Sequence, residues 1–257
     1  MRQNLPLTLL LTLLGTIGAA AILPYQLALL GGKLPDTGGL PLPAALALGV
    51  VQQAVLLFIL TAAALKLQER TLLDLPHLRA WVSRTPQPPV SRSWMAIGIA
   101  GSLIGCLLIA LLDAYMFTPA IEAPQADPIP RPAWWQGLLA MFYGGITEEF
   151  LLRLFAMTLI VWLLSKITGR TGARIPSGYF WCAILLSTLL FGIGHLPAAA
   201  GLYGTLNGVI VARILILNGL LGIWFGYLYW KKGLEYAMVS HMSADLCLHV
   251  VFASISS

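Results

Sequence analysis

Charge is what this sequence has least of. Asp, Glu, Lys and Arg together make up 10% of its 257 residues, while 58% are apolar. A soluble domain carries roughly 25% charged residues, and one of this length could not cover its surface with so few. A bilayer removes that requirement, because lipid tails solvate an apolar exterior. Cysteine is nearly as scarce. Cys106, Cys182 and Cys247 all sit inside apolar runs with no CxxC spacing, which excludes a disulfide framework and a cysteine metal site. There is no basic run interleaved with aromatics, so the net charge of +5 does not mark a nucleic-acid partner. Internal repeats and a soluble domain are missing too.

What is present is a series of long apolar runs. About 20 apolar residues cross a hydrocarbon core. Seven stretches qualify: Leu7–Leu30, Pro43–Leu65, Trp94–Phe117, Ala133–Leu164, Tyr179–Ala198, Asn207–Trp230 and Leu234–Ser254. The expected fold class is all-α, a polytopic transmembrane helical bundle of about seven spans. The first run also has features of a signal peptide, with Arg2 ahead of Leu7–Gly18 and small residues at Ala19–Ala21. Residues 1–132 hold three spans and a linker at 66–93; residues 133–257 hold the rest. The proline-rich stretch Arg79–Ser93 is the one internal boundary the composition suggests.

Basic residues set an orientation. Lys66, Arg70, Arg79, Arg84 and Arg92 fall in the second connection, Lys166, Arg170 and Arg174 in the fourth, and Lys231 and Lys232 in the sixth. Between them lie only Lys33 and Arg131, beside Asp36, Glu122 and Asp127. The positive-inside rule then puts the N-terminus in the cytoplasm and the C-terminus outside. The expected setting is the inner membrane of a bacterium.

The charges inside the spans carry the chemical information: Asp113, Glu148, Glu149, Arg153, His195, Arg213, His241, Asp245 and His249. Each costs about 2.5–3.5 kcal/mol at mid-span unless compensated. Glu149 and Arg153 are four apart and can pair on one helix face, while Glu148 is turned about 100° away. Phe191 and His195 share a face, as do His241, Asp245 and His249. Two glutamates, two histidines and an aspartate on three helices can converge on one water. Blander readings stand beside this one. A Glu–Arg pair can be a packing clamp, and a single His can be a hydrogen-bonded core residue. Asp113 reads most simply as interfacial, and Arg213 as a residue that snorkels or pairs.

Together the motifs have a recognisable order. Glu148-Glu149-Phe150-Leu151-Leu152-Arg153 reads EExxxR, Phe191 to His195 reads FxxxH, and His241 to Asp245 reads HxxxD. This resembles the CPBP family of intramembrane proteases (CAAX protease and bacteriocin-processing, or Abi), which includes the type II CAAX prenyl proteases. The resemblance implies an intramembrane endopeptidase acting on a membrane-associated peptide or protein. Glu148 would be the general base, with Glu149 supporting it and paired to Arg153. His195 would polarise the water or hold a metal, and His241 with Asp245 would stabilise the oxyanion. The family usually has Asn where this chain has Asp245. A zinc held by His195, His241 and Glu148 and a metal-free scheme are both compatible with these residue types. A proton- or ion-coupled transporter and a non-catalytic scaffold are the alternative readings. One expectation conflicts with this convergence. His241 falls about seven residues into its span and Glu148 about 15 into its own, a depth mismatch that could reach about 10 Å. Tilt, misplaced boundaries or a re-entrant segment at Pro197–Asn207 would remove it.

Overall fold

The computed structural model describes residues 4–31, 36–121 and 131–255. Arg2, Lys33, Glu122 and Asp127, used above for targeting and orientation, lie outside the described residues. Eleven helices follow in order among them: α1 Leu5–Ala21, α2 Leu23–Leu29, α3 Leu42–Gln68, α4 Pro76–Ser83, α5 Arg92–Leu112, α6 Trp134–Phe142, α7 Thr158–Thr168, α8 Ser177–Tyr203, α9 Gly208–Lys232, α10 Leu234–Leu246 and α11 Ala253–Ile255. The protein is an all-α integral membrane bundle. Among the described residues six helical runs are long and apolar enough to cross a bilayer: Leu5–Leu29, Leu42–Gln68, Arg92–Ala120, Trp134–Thr168, Ser177–Tyr203 and Gly208–Lys232. The expected seventh, over Leu234–Ser254, is helical but does not join them. Glu235, His241, Asp245 and His249 make it the most polar helix of the set.

Apolar side chains from both halves of the chain meet in one core. Leu7, Leu11, Leu57 and Leu65 pack with Phe150, Leu154, Ile184, Phe225 and Ala237. Large apolar side chains on α3, α5 and α8, among them Val55, Ile59, Ile104 and Leu185, stay exposed, as a lipid-facing surface requires. Glycine permits the closest helix approach. The Thr147 hydroxyl donates to the Gly15 carbonyl at 2.8 Å, and a Cβ on Gly18 would meet the Phe142 carbonyl at 2.7 Å. α1 is therefore seated directly on the segment that carries Glu148.

Four stretches are π-helical: Asp113–Phe117, Tyr143–Glu148, Phe150–Met157 and Cys247–Phe252. Each holds one of the intramembrane polar residues singled out above. Widened turns of this kind gather at functional sites, because they re-aim side chains that an α-helix would place elsewhere.

The depth mismatch has a structural answer, and it is not a re-entrant segment. α8 runs on through Pro197 to Tyr203 as one helix. The difference lies at the other end, where α10 begins beneath a cap. The Leu234 amide donates to the Asp74 carbonyl at 3.1 Å. Glu235 accepts from the Leu78 amide at 2.8 Å, so it serves the open N-terminus of α4. Leu73 and Leu75 are buried. Gly233 makes the turn with φ +110, where a Cβ would also strike Pro76. A polar bolt lies just inside: Gln68 donates to the Tyr229 hydroxyl at 2.7 Å, which is 2.9 Å from that of Thr158. Tyr229, near the end of α9, is thus level with Thr158, and α7 projects past it to Thr168. Residues 73–80 fill the layer that α10 does not reach.

Asp113 is not simply interfacial. Its carboxylate takes two bonds from Arg213, at 2.6 Å to Nε and 2.7 Å to Nη2, joining the end of α5 to α9. This fork geometry is the stronger class of ion pair. Replacing Asp113 by Ala leaves Arg213 without its partner and is expected to cost about 1–3 kcal/mol. The check is thermal unfolding in detergent, where the exchanged pair Asp113→Arg with Arg213→Asp regains most of the loss.

Candidate active site

The run Trp134–Thr168 supplies both glutamates and the arginine. Its first π-helical stretch ends at Glu148, and its second carries Arg153. Glu149 and Arg153 have no exposed side-chain surface, and Arg153 Nη1 lies 3.2 Å from Glu149 Oε1. Arg153 Nη2 donates to the Gly222 carbonyl of α9 at 2.9 Å. Its guanidinium sits between two rings, 5.0 Å from the centre of Phe191 and 5.4 Å from that of Phe225. One charge is thereby held by a carboxylate, a backbone carbonyl and two aromatic faces drawn from three helices.

His241 completes the buried half. Its Nδ1 is 2.8 Å from Glu149 Oε1. A carboxylate can only accept, so Nδ1 carries the proton and Nε2 points the other way. Phe225 stacks on the imidazole, centroids 4.3 Å apart and planes 20° from parallel. Phe191 meets the same ring edge-on at 5.8 Å. His195 is fixed by a different device with the same result. Its Nδ1 donates to the Phe191 carbonyl one turn back at 2.8 Å, which frees Nε2.

Both free Nε2 atoms face Glu148. His195 Nε2 is 3.9 Å from Oε1 and His241 Nε2 is 3.8 Å from Oε2. Asp245 Oδ1 stands 3.6 Å from His241 Nε2. These separations are too long for direct hydrogen bonds, and a water seated beside these atoms, rather than between any two, could reach more than one of them. Two ligand atoms on a tetrahedral zinc, with bonds of about 2.0–2.2 Å, lie only about 3.4 Å apart. Among the described residues, no three His, Cys, Asp or Glu side chains are gathered so as to hold a metal ion. As placed, the donors do not fit zinc. Exposure separates the two carboxylates: Glu148 keeps 15% of its side-chain surface open beside His195 at 37%, while Glu149 has none.

The structure thus brings together Glu148, Glu149, Arg153, Phe191, His195, His241 and Asp245. Sequence reasoning missed Phe225, the Gly222 carbonyl and Gly144. A Cβ on Gly144 would collide with the Asp245 carboxylate and come within 3.1 Å of His241 Nε2. The adjacent pair Gly144-Gly145 just ahead of the glutamates was the readable signal. Gly144→Ala is expected to abolish function while lowering the unfolding temperature by only a few degrees. Arg153→Met should instead destabilise by about 3–5 kcal/mol, because it strands a buried carboxylate. Parallel melts of the two variants in detergent distinguish local crowding from a lost ion pair.

Residues 130–247 match the family described as type II CAAX prenyl endopeptidase Rce1-like. No curated protein and no solved structure matches the chain. The matched stretch contains all three motifs and ends two residues short of His249. Residues 130–247 of this chain thus match an Rce1-like segment, which is consistent with the CAAX-type endopeptidases of the CPBP family.

Proposed function

We propose that the protein hydrolyses a peptide bond of a membrane-associated peptide or protein, using a water held between Glu148, His195 and His241. The observation that carries this reading is the convergence of two tautomer-fixed Nε2 atoms on the two oxygens of one partly open carboxylate. The family match over residues 130–247 supports an endopeptidase, and the six apolar helices support the bilayer as its setting.

In this scheme Glu148 takes a proton from the water as its oxygen attacks the scissile carbonyl carbon. His195 Nε2, a lone-pair acceptor while its Nδ1 serves Phe191, holds the water's second hydrogen and so aims the attacking lone pair. The tetrahedral oxyanion forms beside His241. His241, when charged, offers Nε2–H to that oxyanion; Glu149 behind it and Asp245 beside it favour the charged ring. Glu148 then passes its proton to the nitrogen as the C–N bond breaks, leaving a carboxylic acid and an amine. Glu149 touches neither substrate nor water. It fixes the ring of His241, and Arg153 fixes Glu149. The proposed substrate is a prenylated or otherwise membrane-anchored chain end, since the reacting groups lie among apolar helices.

The test is cleavage of a membrane-peptide library by protein purified in detergent. Glu148→Gln keeps the shape but cannot accept the proton, and cleavage should fall at least about 100-fold. Full processing by that variant would overturn the reading. Metal analysis of the same preparation decides the water-only scheme: activity should persist after chelation, with well under one equivalent of zinc bound. Stoichiometric zinc whose removal stops cleavage would replace that scheme with a metal-assisted one.

A further inference from the structure

The polar cluster does not end where the family match ends. On the far side of Asp245, His249 Nε2 lies 4.0 Å from Asp245 Oδ1. His249 Nδ1 lies 3.0 Å from the hydroxyl of Tyr25, and the two rings meet at 66° with centroids 5.2 Å apart. Tyr25 belongs to α2 and is 224 residues away in sequence.

The direction of the bonds follows from what each atom can do. At 4.0 Å the Asp245 carboxylate is beyond direct hydrogen bonding to Nε2, but its negative charge favours an N–H over a lone pair on that nearer nitrogen. The favoured tautomer of His249 therefore carries its proton on Nε2, which leaves Nδ1 as an acceptor. The Tyr25 hydroxyl then donates to Nδ1. A chain of polar contacts runs from Tyr25 through His249, Asp245 and His241 to Glu149 and Arg153. The His249–Asp245 and Asp245–His241 links, at 4.0 and 3.6 Å, act through charge rather than direct hydrogen bonds.

Both ends of the new segment are built rather than incidental. α2 is tied to α6 by Gln136, whose Nε2 donates to the Pro24 carbonyl at 3.0 Å and whose Oε1 accepts from the Ala133 amide at 2.7 Å. His249 sits in the π-helical stretch Cys247–Phe252, and Gly137 of α6 packs straight onto its backbone. α6 therefore braces the tyrosine and the histidine together.

We propose that Tyr25 and His249 are positioning residues that hold the Asp245 carboxylate against His241, making the α1–α2 helical run part of the catalytic apparatus. This rests on the proposed hydrolytic reading for its kinetic consequence, though not for its structural one. A carboxylate has no N–H of its own to orient it, so a polar ring on its outer side adds a second constraint on where its charge sits.

Two measurements on the full chain in detergent test it. Nitrogen NMR of isotopically labelled histidines, with His249 assigned by its loss in His249→Gln, reads the ring directly. The expected result is an Nε2–H tautomer in the wild type and, in Tyr25→Phe, a shifted His249 together with a perturbed His241. An Nδ1–H tautomer, or a His241 signal indifferent to Tyr25→Phe, overturns the proposal whether or not the protein cleaves anything. Kinetics add the second readout. Tyr25→Phe and His249→Phe should each lower kcat about tenfold with KM and unfolding temperature unchanged. The double variant should lose no more than either, and His249→Gln, which can still donate to Asp245, should regain part of the rate. A rise in KM alone would assign Tyr25 to substrate binding instead. A wild type that cleaves while Tyr25→Phe is fully active would remove this inference and leave the proposed hydrolysis standing.

Discussion

Everything in the site leans on one buried ion pair. Glu149 and Arg153 are charged groups with no exposed surface, and desolvating two such ions is repaid only by good geometry and further hydrogen bonds. The further partners are Gly222, His241 and the faces of Phe191 and Phe225, drawn from α8, α9 and α10. Meeting the electrostatic demand of the pair thus assembles α8, α9 and α10 around one run of helix. The pair is better understood as a fixture that sets register than as a source of stability. Glu148, one residue earlier, inherits a fixed position from it without sharing its burial.

The two histidines show how protein groups fix ring tautomers inside the bundle. His195 is aligned by a carbonyl of its own helix, a bond that any His can make four residues after an accessible carbonyl. His241 is aligned by a carboxylate from another helix, so its ring is also placed in an electric field. The same tautomer is thus reached by two routes, one through a backbone carbonyl and one through a buried carboxylate. In the proposed hydrolysis that asymmetry would give the two rings different work on one water.

Much of this was readable in the residues and some was not. Fold class followed from charge scarcity and run length, since both are one-dimensional quantities. EExxxR, FxxxH and HxxxD were legible because helical spacing turns three- and four-residue intervals into shared faces. The polar character of the last span was visible in its histidines and aspartate, though the run still counted as apolar enough to be expected as a span. The π-helical turns were not readable, because they arise from packing and local hydrogen-bond shifts with no fixed residue signature. Phe225 was hidden among other apolar residues of a span. Asp113 was misjudged because its partner lies 100 residues on, where Arg213 had its own local explanation. Tyr25 carried no signal at all.

The capped end of the bundle makes the site one-sided. Below Glu148 the interior is filled by Phe150, Leu154, Phe225 and Leu228, then bolted by Gln68, Tyr229 and Thr158, then covered by residues 73–80. His195 lies eight residues before the end of α8, about 12 Å along the helix at 1.5 Å per residue. Under the proposed hydrolysis a substrate would enter on the side of His195, and the tied end would play no part in admitting it.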